Sequence, residues 1–253
     1  EDLAEILQEA MHLAQSGRPG PVLVDIPKDI QMAQVPFKPW LAVDEYLPQL
    51  DLNQVAIANQ LLSEAKQPVA YVGGGVHAAD AQAQLMQFLN KTQMPAVSTL
   101  KALGSVLPDY EYDLGMLGMH GGQAANLAVQ ECDVLVCIGA RFDDRVTNSD
   151  VSKFCPNATI LHVDIDPASI SKTVTAHVPI VGPVVPVLEE MLEQVKASKI
   201  KIDAEALAAW WKKIDHWRER DSLGVTPAEG EMIKPQQVIQ ALYKVTNGEA
   251  YVT

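Results

Sequence analysis

Four charged residues of opposite sign lie within five positions near the middle of the chain. In the segment IGARFDDRVT, Arg141, Asp143, Asp144 and Arg145 follow the apolar run CDVLVCIGA. Planar guanidinium groups are suited to binding phosphate, and carboxylates can orient them or accept hydrogen bonds from a ligand. The pattern indicates an anion-binding loop, while a surface loop whose charges neutralise one another fits the same residues.

A glycine-rich turn offers a second place for a phosphate. In GGGVHA, Gly73, Gly75 and Ala78 have the G-x-G-x-x-A spacing of a dinucleotide-binding turn. In such a turn the missing side chains let the backbone approach a pyrophosphate. The acid that would bind the ribose of NAD about 20 residues further on is absent, because the next apolar run ends in STLKALG. An ordinary tight turn explains the glycines equally well.

Two further segments bring polar groups to the start of a helix or the end of a strand. LGMHGG, residues 117–122, places a flexible backbone, an imidazole and apolar side chains before a helix. This would suit a flat ligand with a polar edge, and His120 can also be a solvated cap. In VDIDP, Asp164 and Asp166 can accept hydrogen bonds from ribose or ribityl hydroxyls, and Asp166 can equally be a helix N-cap.

A regular alternation of apolar strands and amphipathic helices must position these motifs. The apolar runs are near-continuous, as in a parallel sheet that helices cover on both faces. We predict an α/β fold with a doubly wound parallel sheet, in which ligand-binding motifs follow the strands. The predicted strands are PVAYVGGG (68–75), MPAVSTL (94–100), CDVLVCIGA (132–140), ATILHVDID (158–166) and HVPIVG (177–182).

Both ends of the chain carry one helix and one strand pattern. Residues 1–17 form an amphipathic helical pattern that closes with Gly17 and leads into the apolar run VLVDIP, residues 22–27. Residues 233–253 predict a helix that begins near Pro235, stops at Asn247 and Gly248, and leads into a final strand. One helix and one strand cannot cover each other, so we expect partial α/β domains at both ends.

A tryptophan-rich stripe marks one helix near the end of the chain. In DAEALAAWWKKIDHWRER, residues 203–220, the residues Leu207, Trp210, Ile214 and Trp217 fall on one side of the helix. Such a stripe is more typical of a packing face than of a cofactor site.

Composition limits the functional classes. The 253 residues are 48% hydrophobic, with 32 acidic and 19 basic residues, so we expect a globular protein whose negative field repels nucleic acid. No run approaches the roughly 20 apolar residues of a membrane helix, and the first residues lack a signal-peptide pattern, which favours the cytoplasm. Cys132, Cys137 and Cys155 form no C-x-x-C motif and predict buried thiols rather than a metal site.

Several of these segments together resemble one enzyme family. SGRPGPVLVDIPKDIQ, YVGGGV, LGMLGMHG, GARFDDRVT, HVDIDP and GEAYVT are similar to the large, catalytic subunits of acetohydroxyacid synthases, also called acetolactate synthases. The similarity is greatest to the bacterial isozyme III type and covers the whole chain. LGMLGMHG and GARFDDR together are specific to this family, whereas the GRPGPV segment is shared more widely by thiamine-diphosphate enzymes.

The resemblance implies a division of the chain and a set of cofactors. Residues 1–37 would end a thiamine pyrimidine-binding domain, 38–52 form a linker, 53–200 form a Rossmann-like central FAD-binding domain, 201–234 form a helix and linker, and 235–253 begin a thiamine-diphosphate-binding domain. FAD would bind this stretch, while thiamine diphosphate and Mg2+ serve the full-length enzyme.

The resemblance also implies a reaction and its partners. The full-length enzyme would condense two pyruvates to 2-acetolactate, or pyruvate with 2-ketobutyrate, in the biosynthesis of valine, leucine and isoleucine. It would be a homodimer of large subunits with a small regulatory subunit.

The resemblance assigns residues by their match to the family's motifs. Lys28 and Arg145 match positions near the mouth of the substrate channel, and none of the family's catalytic residues or metal ligands falls within the chain. One departure is Pro183, where the family usually has aspartate, because proline has neither a carboxylate nor a backbone N–H. The implied FAD contacts are Arg18, Gly73, Gly74, Gly75, Thr99, Leu100, Leu117, Gly118, Met119, His120, Gly139, Ala140, Arg141, Phe142, Asp143, Arg145, Val146, Asp164, Ile165, Asp166 and Gly182.

Other interpretations stay open at this point. Another thiamine-diphosphate carboligase or decarboxylase, such as glyoxylate carboligase, would share the architecture. A stand-alone nucleotide-binding module, NAD-binding and sirtuin-like, would also present a parallel sheet and a glycine turn, although the ribose-binding acid is absent. An interaction scaffold is supported only by the acidic composition and the tryptophan stripe.

From the resemblance, we expect this stretch alone to make no acetolactate. The family's thiamine-activating glutamate would lie before Glu1 and its metal motif after Thr253, so the stretch would lack both. The measurement is acetolactate formation from pyruvate with thiamine diphosphate, Mg2+ and FAD. Turnover by a preparation whose intact mass confirms 253 residues would contradict the expectation.

Overall fold

A single sheet of parallel strands forms the centre of the structure, a computed structural model that describes residues 2–36, 39, 49–147, 150–198, 202–225 and 232–253. The strands are β1 (Pro68–Val72), β2 (Ala96–Ser98), β3 (Asp113–Met116), β4 (Val134–Ile138), β5 (Thr159–Asp164) and β6 (Val178–Val181). Their order across the sheet is β3-β2-β1-β4-β5-β6, and every neighbouring pair is parallel. The predicted α/β class with a doubly wound parallel sheet is confirmed.

Helices cover both faces of this sheet. The α-helices of the described residues are α1 (Leu3–Gln15), α2 (Lys28–Met32), α3 (Leu52–Glu64), α4 (Gly75–Ala78), α5 (Gln82–Thr92), α6 (Gln123–Glu131), α7 (Asp144–Thr147), α8 (Val184–Ser198), α9 (Ala204–Arg218) and α10 (Pro235–Thr246). Helices α3, α5 and α8 share one apolar cluster with the sheet, and α6 and α9 share the other. The result is a three-layer α/β/α arrangement.

The strand side chains alternate between the two layers. In β4, Val134, Val136 and Ile138 lie in the cluster of α3, α5 and α8, while Leu135 and Cys137 lie in the cluster of α6 and α9. All five residues of β4 are buried, because successive side chains of a strand point to opposite faces and both faces are covered. This double burial explains the near-continuous apolar runs in the sequence.

The tryptophan stripe of α9 is a packing face, as predicted. Leu207, Trp210 and Ile214 are buried in the second cluster, and Trp217 packs against it. Trp210 is 1% exposed, and its indole N–H donates to the carbonyl of Pro68 at 3.2 Å. The stripe therefore fixes α9 at the amino end of β1 and is explained without a cofactor.

The two chain ends differ from the prediction. The helices were predicted and are present as α1 and α10, and Gly17 adopts a left-handed conformation (φ +55°) just after α1. Residues 22–27 and 249–253, which the sequence predicts as strands, are not strands. A strand needs a neighbour for its backbone hydrogen bonds, and none of the described residues pairs with these two segments. Both predictions were wrong for that reason.

Strand β3 was not predicted from the sequence. It has four half-buried residues at the edge of the sheet, and its pairing with β2 shifts register between Ala96 and Ser98. Gly115 within it has φ +73°. A short, irregular strand that is only half-buried lacks the long apolar run that marks the other strands.

Two predictions from composition can be compared with the structure. Cys132, Cys137 and Cys155 are buried free thiols, as predicted. Among the described residues, none of the helices is both long and apolar enough to cross a membrane.

The loops after β1 and β4 meet where the order of the sheet changes direction. From β1 the chain proceeds outward to β2 and β3, and it then returns to place β4 on the other side of β1. A Cβ atom on Gly73 would lie 2.2 Å from the carbonyl oxygen of Gly139 and 2.3 Å from Cα of Ala140. Both neighbours are backbone atoms, so the two loops can touch only because Gly73 has no side chain.

We expect Gly73→Ala to destabilise the fold by more than about 2 kcal/mol, because two strand ends would have to separate. The matched control is Gly20→Ala, where nothing lies within 4 Å of an added Cβ. That change should stay within about 0.5 kcal/mol. The measurement is urea unfolding of both variants, and equal midpoints for Gly73→Ala and the unmodified chain would contradict the expectation.

Candidate functional site

The motifs singled out from the sequence lie at one edge of the sheet. Gly73 follows β1, Thr99 follows β2, Leu117 follows β3, Gly139 follows β4 and Gly182 follows β6. Asp164 ends β5, with Ile165 and Asp166 directly after it. Because all strands are parallel, their carboxyl ends share one edge, which is where ligands bind in open α/β sheets.

The loops after β1 and β2 adjoin at this edge. The amide of Thr99 donates to the carbonyl of Val72 at 2.9 Å, and a Cβ atom on Gly74 would lie 2.9 Å from Cβ of Lys101. The hydroxyl Oγ1 of Thr99 is buried and has no hydrogen-bond partner among the described residues. A buried hydroxyl without a partner is costly, so a polar ligand group that reached Thr99 Oγ1 would satisfy it. Leu100, the next residue, is exposed.

The loop after β3 is tied to the loop after β4. Gly118 has φ +93°, and a Cβ there would lie 2.8 Å from the carbonyl oxygen of Arg145. The Asn126 side chain holds both polar groups of Gly118, accepting from its amide at 2.8 Å and donating to its carbonyl at 3.0 Å. The amide of Met119 donates to the Arg145 carbonyl at 3.0 Å. These bonds fix the backbone, while the side chains of Met119 and His120 remain exposed.

The charged loop that follows β4 is partly neutralised within itself. Nη2 of Arg141 lies 3.1 Å from Oδ2 of Asp143, and the two side chains are 64% and 38% exposed. The amide of Arg145 donates to Oδ1 of the same carboxylate at 3.2 Å. Hydrogen bonding with the Asp144 side chain and with the Arg145 amide, together with the charges of Arg141 and Arg145, lowers the pKa of Asp143 below its ordinary value. Asp143 is therefore an anion that holds an accessible guanidinium.

The aspartates after β5 organise their own turn. Oδ1 of Asp164 accepts from the amide of Asp166 at 2.9 Å. The two oxygens of Asp166 accept from the amide of Ala168 and the hydroxyl of Ser169, each at 2.9 Å. Asp166 thus caps a turn, and no helix starts there. Each carboxylate oxygen keeps a second lone pair for a ligand hydroxyl.

The remaining predicted residues differ in where they lie. Gly182 is buried and its amide donates to the carbonyl of Asp164 at 3.0 Å, so the ends of β5 and β6 are joined. Arg18 and Lys28 are exposed near the beginning of the chain. Among the described residues, no hydrogen bond or ion pair links either of them to the edge of the sheet.

Sequence reasoning missed the contacts that three buried side chains make beneath the charged loop, although it predicted one of them, Cys137, as a buried thiol. The carbonyl of Ala140 accepts from Nε2 of His162 at 3.0 Å and from Sγ of Cys137 at 2.9 Å. The hydroxyl of Tyr71 lies 3.5 Å from the carbonyl oxygen of Arg141. The signal that the sequence offered was their position, because each residue lies one or two positions before the last residue of its strand, in an otherwise apolar run.

Burial governs the titration of these groups. His162 is fully buried, and this burial lowers its pKa, while the charge of Asp164 and the bond to Ala140 oppose the shift. Burial raises the pKa of the Cys137 thiol and of the Tyr71 hydroxyl. All three groups are therefore neutral at pH 7, as hydrogen-bond donors to a backbone should be.

The edge fits part of a dinucleotide such as FAD. It presents an exposed guanidinium for phosphate at Arg141, an unpartnered hydroxyl at Thr99, acceptors at Asp164 and Asp166, and an exposed apolar side chain at Met119. The described residues contain no group of three or more His, Cys, Asp or Glu side chains placed to hold a metal ion.

Comparison with known proteins places the chain in a family. Residues 55–191 match the family described as "Thiamine pyrophosphate enzyme, central domain". This match covers more than half of the chain and contains all six strands of the sheet. The chain belongs to the thiamine pyrophosphate enzyme family and includes its central domain.

The chain is also similar to individual curated proteins. It is 44% identical to the acetolactate synthase isozyme 3 large subunit of Escherichia coli (strain K12), across 100% of this chain and 45% of that protein. It is 45% identical to the acetolactate synthase large subunit of Corynebacterium glutamicum, across 98% of this chain and 40% of that protein. It is 51% identical to the acetolactate synthase isozyme 2 large subunit of Escherichia coli (strain K12), across 77% of this chain and 36% of that protein. The chain spans less than half the length of each of these relatives.

The buried histidine predicts a pH dependence of stability. Because the folded-state pKa of His162 lies below the unfolded value of about 6.5, its contribution to stability is full above that pH and is lost as pH falls towards the folded-state pKa. The free energy of unfolding should fall by up to about 1.4 kcal/mol per pH unit in this window on account of this one group. His162→Phe, which removes the titrating ring, should flatten the profile between pH 5 and 7.

The measurement is urea unfolding at several pH values for the unmodified chain, His162→Phe and His162→Gln. The glutamine variant removes the same titration but keeps a donor, so its profile should be flattened as well. Parallel profiles for all three proteins would contradict the expectation, because another group would then account for the slope.

Proposed function

We propose that this chain is part of the large subunit of an acetolactate synthase, of the isozyme III type, and supplies its FAD-binding region. The observation that carries the proposal is the similarity of essentially the whole chain to large subunits of that name in different bacteria, at 44% and 45% identity. Membership of the thiamine pyrophosphate enzyme family supports the same reaction class.

The proposed reaction condenses two pyruvates to 2-acetolactate and carbon dioxide, or pyruvate with 2-ketobutyrate to the homologous product, for branched-chain amino acid synthesis. Thiamine diphosphate, with Mg2+, supplies the decarboxylation and the carbon–carbon bond formation when bound. Two pyruvate ions and one proton contain the same atoms and charge as 2-acetolactate and carbon dioxide, so no net electrons enter or leave. The residues of this chain therefore need only bind and orient FAD, without turning it over as a redox reagent.

The proposed FAD contacts follow from the chemistry of each group. Arg141 donates to the diphosphate, held in position by Asp143. Asp164 and Asp166 accept from hydroxyl groups of the ribityl chain or ribose, and Thr99 Oγ1 meets a further polar group. Exposed Met119 and His120 supply an apolar surface and a polar edge for the flat ring. The other contacts implied by the resemblance, including Arg18, belong to the same proposal.

The substrates and partners form part of the proposal too. Lys28 and Arg145 would lie near the mouth of the pyruvate channel. The full-length protein would act in the cytoplasm as a homodimer of large subunits with a small regulatory subunit. The division into residues 1–37, 38–52, 53–200, 201–234 and 235–253 would give this stretch parts of the two thiamine-binding domains on either side of the FAD-binding domain.

We expect the chain to bind FAD, with Arg141 as a main anchor. Arg141→Ala should weaken binding about 10-fold, which corresponds to about 1.4 kcal/mol. This lies near the lower end of the range for a hydrogen bond to a charged group, because Arg141 also pairs with Asp143 and is not a free cation before binding. The measurement is quenching of flavin fluorescence during titration, with NAD as competitor.

The matched control is Arg218→Ala, which removes an equal charge from an ion pair with Asp215 on α9 and should leave FAD affinity unchanged. A folded chain that binds no FAD, or binds NAD more tightly, would contradict the proposal and favour a nucleotide-binding module. The preference between substrates must be measured with the full-length enzyme. Preferential carboligation of glyoxylate over pyruvate would replace acetolactate synthase by a related carboligase.

A further inference from the structure

One backbone carbonyl beneath the charged loop receives two buried donors. The oxygen of Ala140 accepts from Nε2 of His162 on β5 and from Sγ of Cys137 on β4, at 3.0 and 2.9 Å. A carbonyl oxygen has two lone pairs, so both are occupied by these side chains. Ala140 is the residue immediately before Arg141, and its carbonyl belongs to the peptide unit that joins them. Its orientation therefore sets where the Arg141 side chain begins.

The hydrogen bond to Ala140 fixes the tautomer of His162. A carbonyl oxygen cannot donate, so Nε2 must carry the proton and Nδ1 must present the lone pair. That Nδ1 atom is buried and has no partner among the described residues. An apolar side chain would fill this space without that cost, as Ile160 does two positions earlier on the same face of β5. The bond to Ala140 is what the histidine supplies and an apolar side chain would not.

Aromatic packing extends the support to the next residues of the loop. The ring of Phe142 packs against His162 with centroids 5.1 Å apart and against Tyr71 with centroids 5.6 Å apart. The Tyr71 hydroxyl lies 3.5 Å from the Arg141 carbonyl oxygen. Tyr71, Cys137 and His162 come from three adjacent strands, β1, β4 and β5, and we call them the loop platform. Residues 140–142 rest on this platform, while the Arg141 side chain points away enough to be 64% exposed.

We propose that His162, together with Cys137, is a positioning residue that sets the peptide between Ala140 and Arg141 and thereby aims the Arg141 guanidinium at the FAD diphosphate. The part concerning FAD rests on the function proposed above. His162 does not touch the ligand in this role and acts only through the loop. The charged group beside it is Asp164, whose Oδ2 lies 4.0 Å from Nε2.

The first test measures the loop without any ligand. His162→Phe keeps an aromatic ring for Phe142 but removes the donor, and His162→Gln keeps an N–H donor at a similar reach. Amide hydrogen exchange of residues 140–145 should become about 10-fold faster in the phenylalanine variant and return to within about 3-fold of the unmodified chain in the glutamine variant. Exchange at Val136 and Leu161, within β4 and β5, should change in neither.

The second test measures coupling to Arg141 through FAD titration in a double-mutant cycle. Arg141→Ala should weaken FAD binding about 10-fold in the unmodified chain and less than about 3-fold in the His162→Phe background. In that background the guanidinium would no longer be aimed at the diphosphate, so its removal would cost little affinity. In the His162→Gln background the effect of Arg141→Ala should again be about 10-fold. Cys137→Ala and Cys137→Ser form a second matched pair, in which serine should restore the loss.

The outcomes separate the two proposals. If the unmodified chain binds no FAD but the exchange pattern is as expected, the proposed cofactor is wrong and the loop-positioning role stands. If FAD binds and depends on Arg141, but the effects of His162→Phe and Arg141→Ala multiply independently, the positioning role is overturned. Equal acceleration in the phenylalanine and glutamine variants, or acceleration that extends through β4 and β5, would also overturn it, because the histidine would then serve the core alone.

Discussion

Contact between two backbones at the middle of the sheet determines the arrangement of its carboxyl edge. The amide of Gly73 donates to the carbonyl of Ile138, and that of Gly75 donates to Gly139, each at 2.9 Å. A side chain on Gly73 or Gly75 would overlap the backbone at Gly139. Since the loops after β1 and β4 diverge from this crossing, their paths depend on it. The glycines of the G-x-G turn thus have a structural reason that is independent of any phosphate.

The remaining loops are fixed by backbone bonds to one another. The amide of Leu117 donates to the carbonyl of Ser98, that of Met119 to Arg145, and that of Gly182 to Asp164. Because these contacts use main-chain groups, they hold the loops in place and leave the side chains at the edge available. A ligand that binds such an edge loses little free energy to ordering the protein, since the ordering has been accomplished by folding.

Local sequence patterns predicted the helices and strands that can be identified from their own residues, without knowledge of what they pack against. The apolar run at 134–138 marks a strand that is buried on both faces, whatever its position in the sheet. The stripe of Leu207, Trp210 and Ile214 likewise marks a buried helix face, whatever surface it packs against. Strand β3 escaped prediction because four half-buried residues carry no clear period. Residues 22–27 have a convincing strand sequence but no pairing partner among the described residues, and pairing is a property of the whole fold that no local pattern contains.

The candidate site shows the same division. Most motifs of the site could be predicted because they lie at the carboxyl ends of predicted strands. In a parallel sheet the carboxyl ends of the strands share one edge, however far apart they are in the sequence. The role of His162 depends on a carbonyl 22 residues earlier in the chain, so its spacing gave no sign of the contact. Which residues touch a cofactor remains a prediction from the resemblance. The structure adds to it the support that Tyr71, Cys137 and His162 give to the loop.

The opposite charges after β4 restrain the orientation of the Arg141 side chain. An exposed ion pair contributes little to the stability of a fold, so stability alone does not explain why Arg141 and Asp143 stand together. Asp143 uses one oxygen for the amide of Arg145, at the start of α7, and the other for Nη2 of Arg141. The pair is therefore anchored to the backbone at the aspartate end, and it engages one nitrogen of a guanidinium that has five N–H donors. Among the described residues, the side-chain partner of this arginine is Asp143, and a guanidinium restrained in this way would bind a phosphate at a lower entropic cost than an unrestrained one.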